Sequence, residues 1–108
     1  MSGPADCQVL GRWRIVESDI WDNDYLDLVG PATIFFEADG HGEFAFGCVE
    51  AGMDIEYART IVFFRWAGCD EGDEVNGSGS AQLADDGTLE IGLSFDNGDD
   101  AVLKGRRE

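Results

Sequence analysis

A chain of 108 residues leaves room for one domain and one modest core, burying roughly 60–68% of the surface of the unfolded chain, so a second domain is excluded. Hydrophobic residues at 44% and aromatic residues at 11% exclude a disordered chain. Twenty-three Asp and Glu against seven Lys and Arg, a formal net charge of −16, set it against nucleic acid and anionic membranes and favour basic partners or cations.

The simpler reading of that charge is solubility alone, or adaptation to a salty cytoplasm. Three cysteines, Cys7, Cys48 and Cys69, form no Cys-x-x-Cys and have no neighbouring His, which argues against a disulfide framework or a zinc site and for a reducing compartment. Residues 1–7 carry neither a basic nor an apolar signal region and read as a flexible tail, and no later apolar run approaches membrane-spanning length. The expectation is a cytoplasmic protein with one β-barrel domain over 1–108.

In chain order, residues 8–17 read as a strand with Trp13 and Ile15 on one face and Arg12 and Arg14 on the other. Ser18 to Pro31 then carries a short helix, with Trp21, Tyr25 and Leu28 sharing a face, ended by Gly30 and Pro31. Ala32–Glu37 and Glu43–Val49 make a hairpin about the turn residues 38–42, which pairs Phe36 with Phe44 and Ile34 with Phe46. A short strand covers Met53–Tyr57. Thr60–Ala67 is the most apolar stretch, with Val62, Phe64 and Trp66 inward and Ile61, Phe63 and Arg65 outward. That outer face is unusually greasy, and either a packed helix or a partner could cover it.

The last strands admit a register argument. Leu89, Ile91, Leu93 and Phe95 alternate with Glu90, Gly92 and Ser94, so the apolar side faces the core. A two-residue loop at Asn97-Gly98 would set Lys104 opposite Ile91; a three-residue loop ending in a left-handed Gly98 buries Ala101, Leu103 and Gly105 instead, and is preferred. The same geometry at Asp85-Asp86-Gly87 pairs Leu83 with Leu89 and Ala81 with Ile91, and brings Gly79 and Gly77 near Leu93 and Phe95. Inward glycines suit a bent strand with an aromatic ring lying over it, or leave space for a ligand. About eight strands joined by short hairpins predict an all-β, antiparallel up-and-down barrel, because closure removes exposed edges.

Gly11-x-Trp13 on the first strand, the Trp21/Tyr25 segment after it, the hairpin meander and Arg106-Arg107 on the last strand resemble the calycins, the group of lipocalins, fatty-acid-binding proteins and avidins. The resemblance implies that Trp13 closes one end of the barrel and that Arg106 or Arg107 packs over it. Residues 11–18 with Trp21 and Tyr25 look most like the fatty-acid-binding branch, but the Arg-x-Tyr pair that holds a fatty-acid carboxylate there is missing here. The chain also resembles a set of small acidic bacterial proteins, which implies a fold and no activity.

Candidate sites are few. An eight-stranded barrel is wide enough to be filled by side chains or to hold one small ligand, and Trp13, Phe36, Phe44, Phe46, Phe64 and Trp66, with Tyr57 as the one polar group, are the candidate ligand-binding residues. Their bulk favours filling. Asp70, Glu71, Asp73 and Glu74 offer oxygen ligands for a hard cation but lack EF-hand spacing, so solvated loop charge is preferred, as it is for 22–24 and 96–100. The sole histidine, His41, reads as an exposed turn residue without the partners a general base needs, Cys48 as a small core residue, and Cys69 as a thiol whose ionisation its acidic neighbours disfavour. No catalytic residue, cofactor or resident metal is expected.

Two classes of function therefore stand. Fold analogy favours an intracellular protein that binds a small apolar or amphipathic molecule inside the barrel. The alternative is an acidic protein–protein interaction module with a filled core, presenting its acidic loops or the Ile61 and Phe63 face to a basic protein partner.

Overall fold

The computed structural model describes residues 7–19, 21–28, 30–96, 98 and 100–108, without the side chain of Asn23. Among these, strands β1 (Gly11–Ser18), β2 (Thr33–Phe36), β3 (His41–Phe46), β4 (Val49–Tyr57), β5 (Ile61–Asp70), β6 (Asp73–Leu83), β7 (Leu89–Phe95) and β8 (Asp100–Arg107) each pair antiparallel with the next. The eighth pairs with the first, so the sheet is a closed barrel. Helix α1 (Asn23–Leu26) lies between β1 and β2. The expected tail falls outside the described residues except for Cys7, whose side chain is buried. No helix among the described residues is long and apolar enough to cross a membrane.

Alternation sends one face of each strand to the core, interrupted in β1 by a bulge. Along β5, Val62, Phe64 and Trp66 are buried while Phe63 and Arg65 are exposed; along β7, Leu89, Ile91 and Leu93 are buried. Both turns argued from sequence hold. The β6–β7 hairpin pairs Leu83 with Leu89, Ala81 with Ile91, Gly79 with Leu93 and Gly77 with Phe95; β7–β8 pairs Leu93 with Ala101, Ile91 with Leu103 and Leu89 with Gly105. Gly87 and Gly98 take φ of 86° and 104°, the left-handed conformation that a three-residue hairpin loop requires.

The inward glycines of β6 are there because nothing larger fits. A Cβ on Gly79 would lie 2.4 Å from Gly92 O and 2.8 Å from the Phe64 ring, and one on Gly77 would lie 1.9 Å from Ser94 O and 3.0 Å from the Trp66 ring, so the β7 backbone and two aromatic rings together exclude a side chain. The barrel closes through a bulge between Ile15 and Glu17, which adds a residue to β1 and sharpens its bend.

Four local expectations are corrected. The β2–β3 register is two residues different from the expected one, with Ile34 opposite Phe44 and Phe36 opposite Gly42. The loop is shorter than residues 38–42: Glu37 N–H donates to His41 O, Gly40 takes φ 91°, and His41 and Gly42 already belong to β3. A shift of two preserves parity, so the same side chains stay inside. Second, Gly47-Cys48 is a turn, Val49 opens β4, and that strand runs nine residues instead of starting at Met53. Third, Cys48 is therefore half-buried in a turn and not on the inner face of a strand. Fourth, in the helical segment Leu26 is buried and Leu28 is 61% exposed. Helix α1 has only four residues, too few for a face repeating at four and seven.

That short helix is held by its surroundings more than by its own hydrogen bonds. Asp22 caps it by accepting the Tyr25 N–H at 2.9 Å, and Gly47 N–H donates to Leu26 O at 2.8 Å. Asp27 accepts from Ala32 N–H at 3.0 Å and from the Arg14 guanidinium at 3.0 Å. The Ala32 hydrogen bond first, and Arg14 with it, holds the Asp27 carboxyl below its ordinary value of 3.8. A carboxyl with a lowered folded pKa stabilises the fold above its unfolded pKa and loses that effect as pH falls through the folded value. Urea titrations should therefore show wild type more stable than Asp27→Asn at neutral pH, with the difference closing below pH 3.8. A difference that persists in acid would remove the carboxylate from the account.

Candidate functional site

The barrel interior is occupied by its own rings. Trp13, Phe36, Phe44, Phe46, Phe64 and Trp66 are all buried. Ring centroids of Phe36 and Phe64 lie 6.2 Å apart, Phe44 and Phe46 stack at 5.8 Å, and Phe44 meets Trp66 edge-on at 5.4 Å. Toward the α1 end, Phe95 meets Trp66 at 4.9 Å and Trp21 lies 5.0 Å from Phe46, so rings continue through the mouth of the barrel. These offset and edge-to-face contacts are the arrangements aromatic quadrupoles prefer.

The indole N–H groups of this interior, and the hydroxyl of Tyr57, which is half-buried at the rim and not inside as expected, are already bonded to the protein's own backbone. Trp13 Nε1–H donates to Val9 O at 2.9 Å and Trp66 Nε1–H to Ser78 O at 3.1 Å. The Tyr57 hydroxyl donates to Glu37 O and accepts from Gly40 N–H at 3.0 Å, so it ties the β2–β3 loop to the end of β4. Burial pushes its pKa up, which keeps it protonated as a donor. Among the described residues no polar or charged residue is buried.

At the end opposite α1, the guanidinium of Arg107 lies 4.0 Å over the Trp13 ring. It donates to the carbonyls of Leu10 and Gln8, the latter at 2.7 Å. Register separates the two arginines: Arg107 pairs with inward Trp13, whereas Arg106 pairs with outward Arg14. The guanidinium thus meets the ring face and also ties down the segment entering β1.

The other candidates lie apart from this interior. His41 is exposed and its Nδ1 is 3.2 Å from an Asp54 oxygen on β4; it is a strand residue, not the turn residue expected. Asp70 and Asp73 face each other across the β5–β6 turn, with Glu71 and Gly72 at its tip. No group of three or more His, Cys, Asp and Glu side chains is arranged to hold a metal among the described residues. Cys69 is exposed, and Cys48 has its thiol pushed up by a hydrogen bond to Glu71 and by burial.

The outer wall holds a feature that strand-by-strand reading does not assemble. Phe63, Ser80, Gly92 and Val102 form one row across β5, β6, β7 and β8. Phe63 is 53% exposed and Val102 45%, with the two smallest side chains of the row between them. The result is a trough of about 350 Å³ bordered by two apolar side chains. On the other side of Phe63, Gly40, Asp54, Glu56 and Arg65 line a second groove of about 430 Å³, so the ring stands as a ridge between two depressions. The exposed Phe63 was visible in the alternation of β5, but Val102 and its place in the same row become legible only through three strand registers. No protein-family model matches this sequence, and no curated protein matches it.

Proposed function

We propose that this protein is an acidic protein–protein interaction module that works from the outside of a filled, calycin-like barrel in the cytoplasm. The observation that carries this reading is the state of the interior: its rings pack on one another and both buried indoles and Tyr57 hydrogen-bond to the chain's own backbone. A carrier needs a few polar groups free to converge on a ligand. The outer wall, in contrast, leaves a large aromatic side chain, Phe63, standing exposed in a surface of net charge −16. Aromatic residues ringed by charge are the usual anchors of transient interfaces.

Kinship to the calycins is supported by the strand order and by the stacking of Arg107 on Trp13. Small-molecule binding inside the barrel is the competing reading, and it rests on fold analogy.

Native mass spectrometry of protein purified from its own cells, compared with a denaturing spectrum, tests the choice. The interaction reading expects a clean apo mass, and expects association with polylysine that weakens steeply as salt is raised past about 0.1 M, where the screening length is about 10 Å. A retained small molecule of defined mass, displaced on unfolding, would overturn it in favour of a carrier.

A further inference from the structure

Gly92 lies in the interior of β7, where glycine weakens a strand, and its backbone does not demand it. A Cβ built there points outward and finds its nearest neighbour among the described residues, Ser80 Oγ, at 3.9 Å. This is the reverse of Gly77 and Gly79, where a Cβ would strike backbone oxygens at 1.9 and 2.4 Å. Gly52 on β4 is equally free, but its row neighbours Glu43 and Ala67 present no exposed ring. Among the described residues, the fold thus leaves a position unfilled between Phe63 and Val102.

The surroundings define what fits. Glu56 sits directly across from Phe63 on β4. The Asp19 carboxylate is held at 2.8 Å from Val102 N–H, and Asp100 is in the neighbouring row. The cations nearby are bracketed: Arg65 reaches Asp96 at 3.4 Å and pairs in register with Asp54, while Lys104 pairs in register with Glu17 on one side and Glu90 on the other. The rim is therefore acidic around an apolar trough. A second copy would bring another charge of −16 to the contact, and a closed barrel has no strand edge to extend by backbone pairing.

We propose that the trough between Phe63 and Val102 docks a cationic segment of another protein, with one large apolar side chain seated over Ser80 and Gly92 and flanking Lys or Arg side chains meeting Glu56, Asp19 and Asp100. The proposal rests on the reading of the barrel as an exterior interaction module. It goes further by assigning the face and the chemistry of the partner.

The test uses two short synthetic peptides of equal charge, one alternating lysine with leucine and serine, the other with every leucine replaced by serine. Binding to the full chain is followed by amide chemical shifts and calorimetry at low salt, for wild type, Phe63→Ser and Gly92→Thr. The leucine peptide is expected to bind about tenfold tighter than its twin and to shift the amides of Ser80, Gly92 and Val102. Each substitution is expected to remove that tenfold advantage. Gly92→Thr fills the trough with a good strand former, so loss of binding there cannot be laid to unfolding.

Equal affinity for both peptides, or full binding by Gly92→Thr, would sink the docking site while leaving a purely electrostatic interaction module standing. No binding of either peptide at low salt would sink both. Concentration-dependent dimerisation abolished by Phe63→Ser would assign the face to a second copy and overturn the partner proposed here.

Discussion

Replacing Trp13 with Ala should lower the stability of the barrel by about 3–5 kcal/mol, the range for deleting a fully buried large aromatic side chain. Trp13 has no exposed surface, and two attachments converge on it, one of which extends to the segment before β1. Its indole N–H holds Val9 O, its ring face receives Arg107, and Arg107 in turn holds the carbonyls of Leu10 and Gln8. Removing the ring opens a cavity and also releases the segment bearing the buried Cys7 and Val9. Since small domains are stable by only about 5–15 kcal/mol, that loss is a large fraction of the total stability. Urea denaturation followed by circular dichroism measures the loss. Arg107→Ala keeps the ring but loses the cation–π contact and two carbonyl partners, for an expected loss of about 1–2 kcal/mol. Arg106→Ala should stay within about 0.5 kcal/mol of wild type, because that residue is exposed and pairs with another arginine. Equal losses at the two arginines would show that Trp13 is not capped in this way.

Gly77→Ala should cost about 3 kcal/mol, at the upper end of what overpacking usually costs. The added methyl would lie 1.9 Å from Ser94 O and 3.0 Å from the Trp66 ring. A flexible side chain yields to such a clash, but Ser94 O belongs to the β7 backbone and can retreat only by parting the β6–β7 ladder. Gly92→Ala supplies the control, with the same substitution on the adjoining strand. Its methyl meets nothing within 3.4 Å among the described residues, and strands favour alanine over glycine by about 0.5–1 kcal/mol, so the variant should be neutral or slightly more stable. Thermal unfolding of both variants decides the matter. A tolerated Gly77→Ala would mean that the bend of β6 is soft and that Trp66 has room to move, which would return a ligand-sized interior to consideration.

The inward glycines of β6 mark the boundary of what a strand pattern conveys. Gly77 and Gly79 could be placed on the inner face from the Asp86-Gly87 turn alone, since a three-residue loop and a period of two leave no other register. Whether their missing side chains made a cavity or a seat for a ring depended on which residues of β5 lie above them, and only packing answers that. At the β2–β3 hairpin a shift of two residues keeps the same inward parity, so the pattern placed Phe36 and Phe44 inside while the expected pairing between them was wrong. The expected short helix forms between β1 and β2, but its expected face does not, because a single turn takes its conformation from Asp22, Gly47 and the wall it sits on and not from a periodic face of its own.

The amino-acid sequence by itself determined the period-two patterning, the left-handed turn glycines, the inward aromatic set and the acidic surface. All of these are local, because side-chain parity and turn geometry act over a few residues. Only the tertiary structure decided that β8 closes on β1, that Arg107 and not Arg106 covers Trp13, that Tyr57 and both buried indoles satisfy their own chain, and that Phe63 and Val102 border one trough. Each of those brings together residues distant in the chain, and their distances are set by the accumulated registers of successive strands and by the competition of large rings for one enclosed volume.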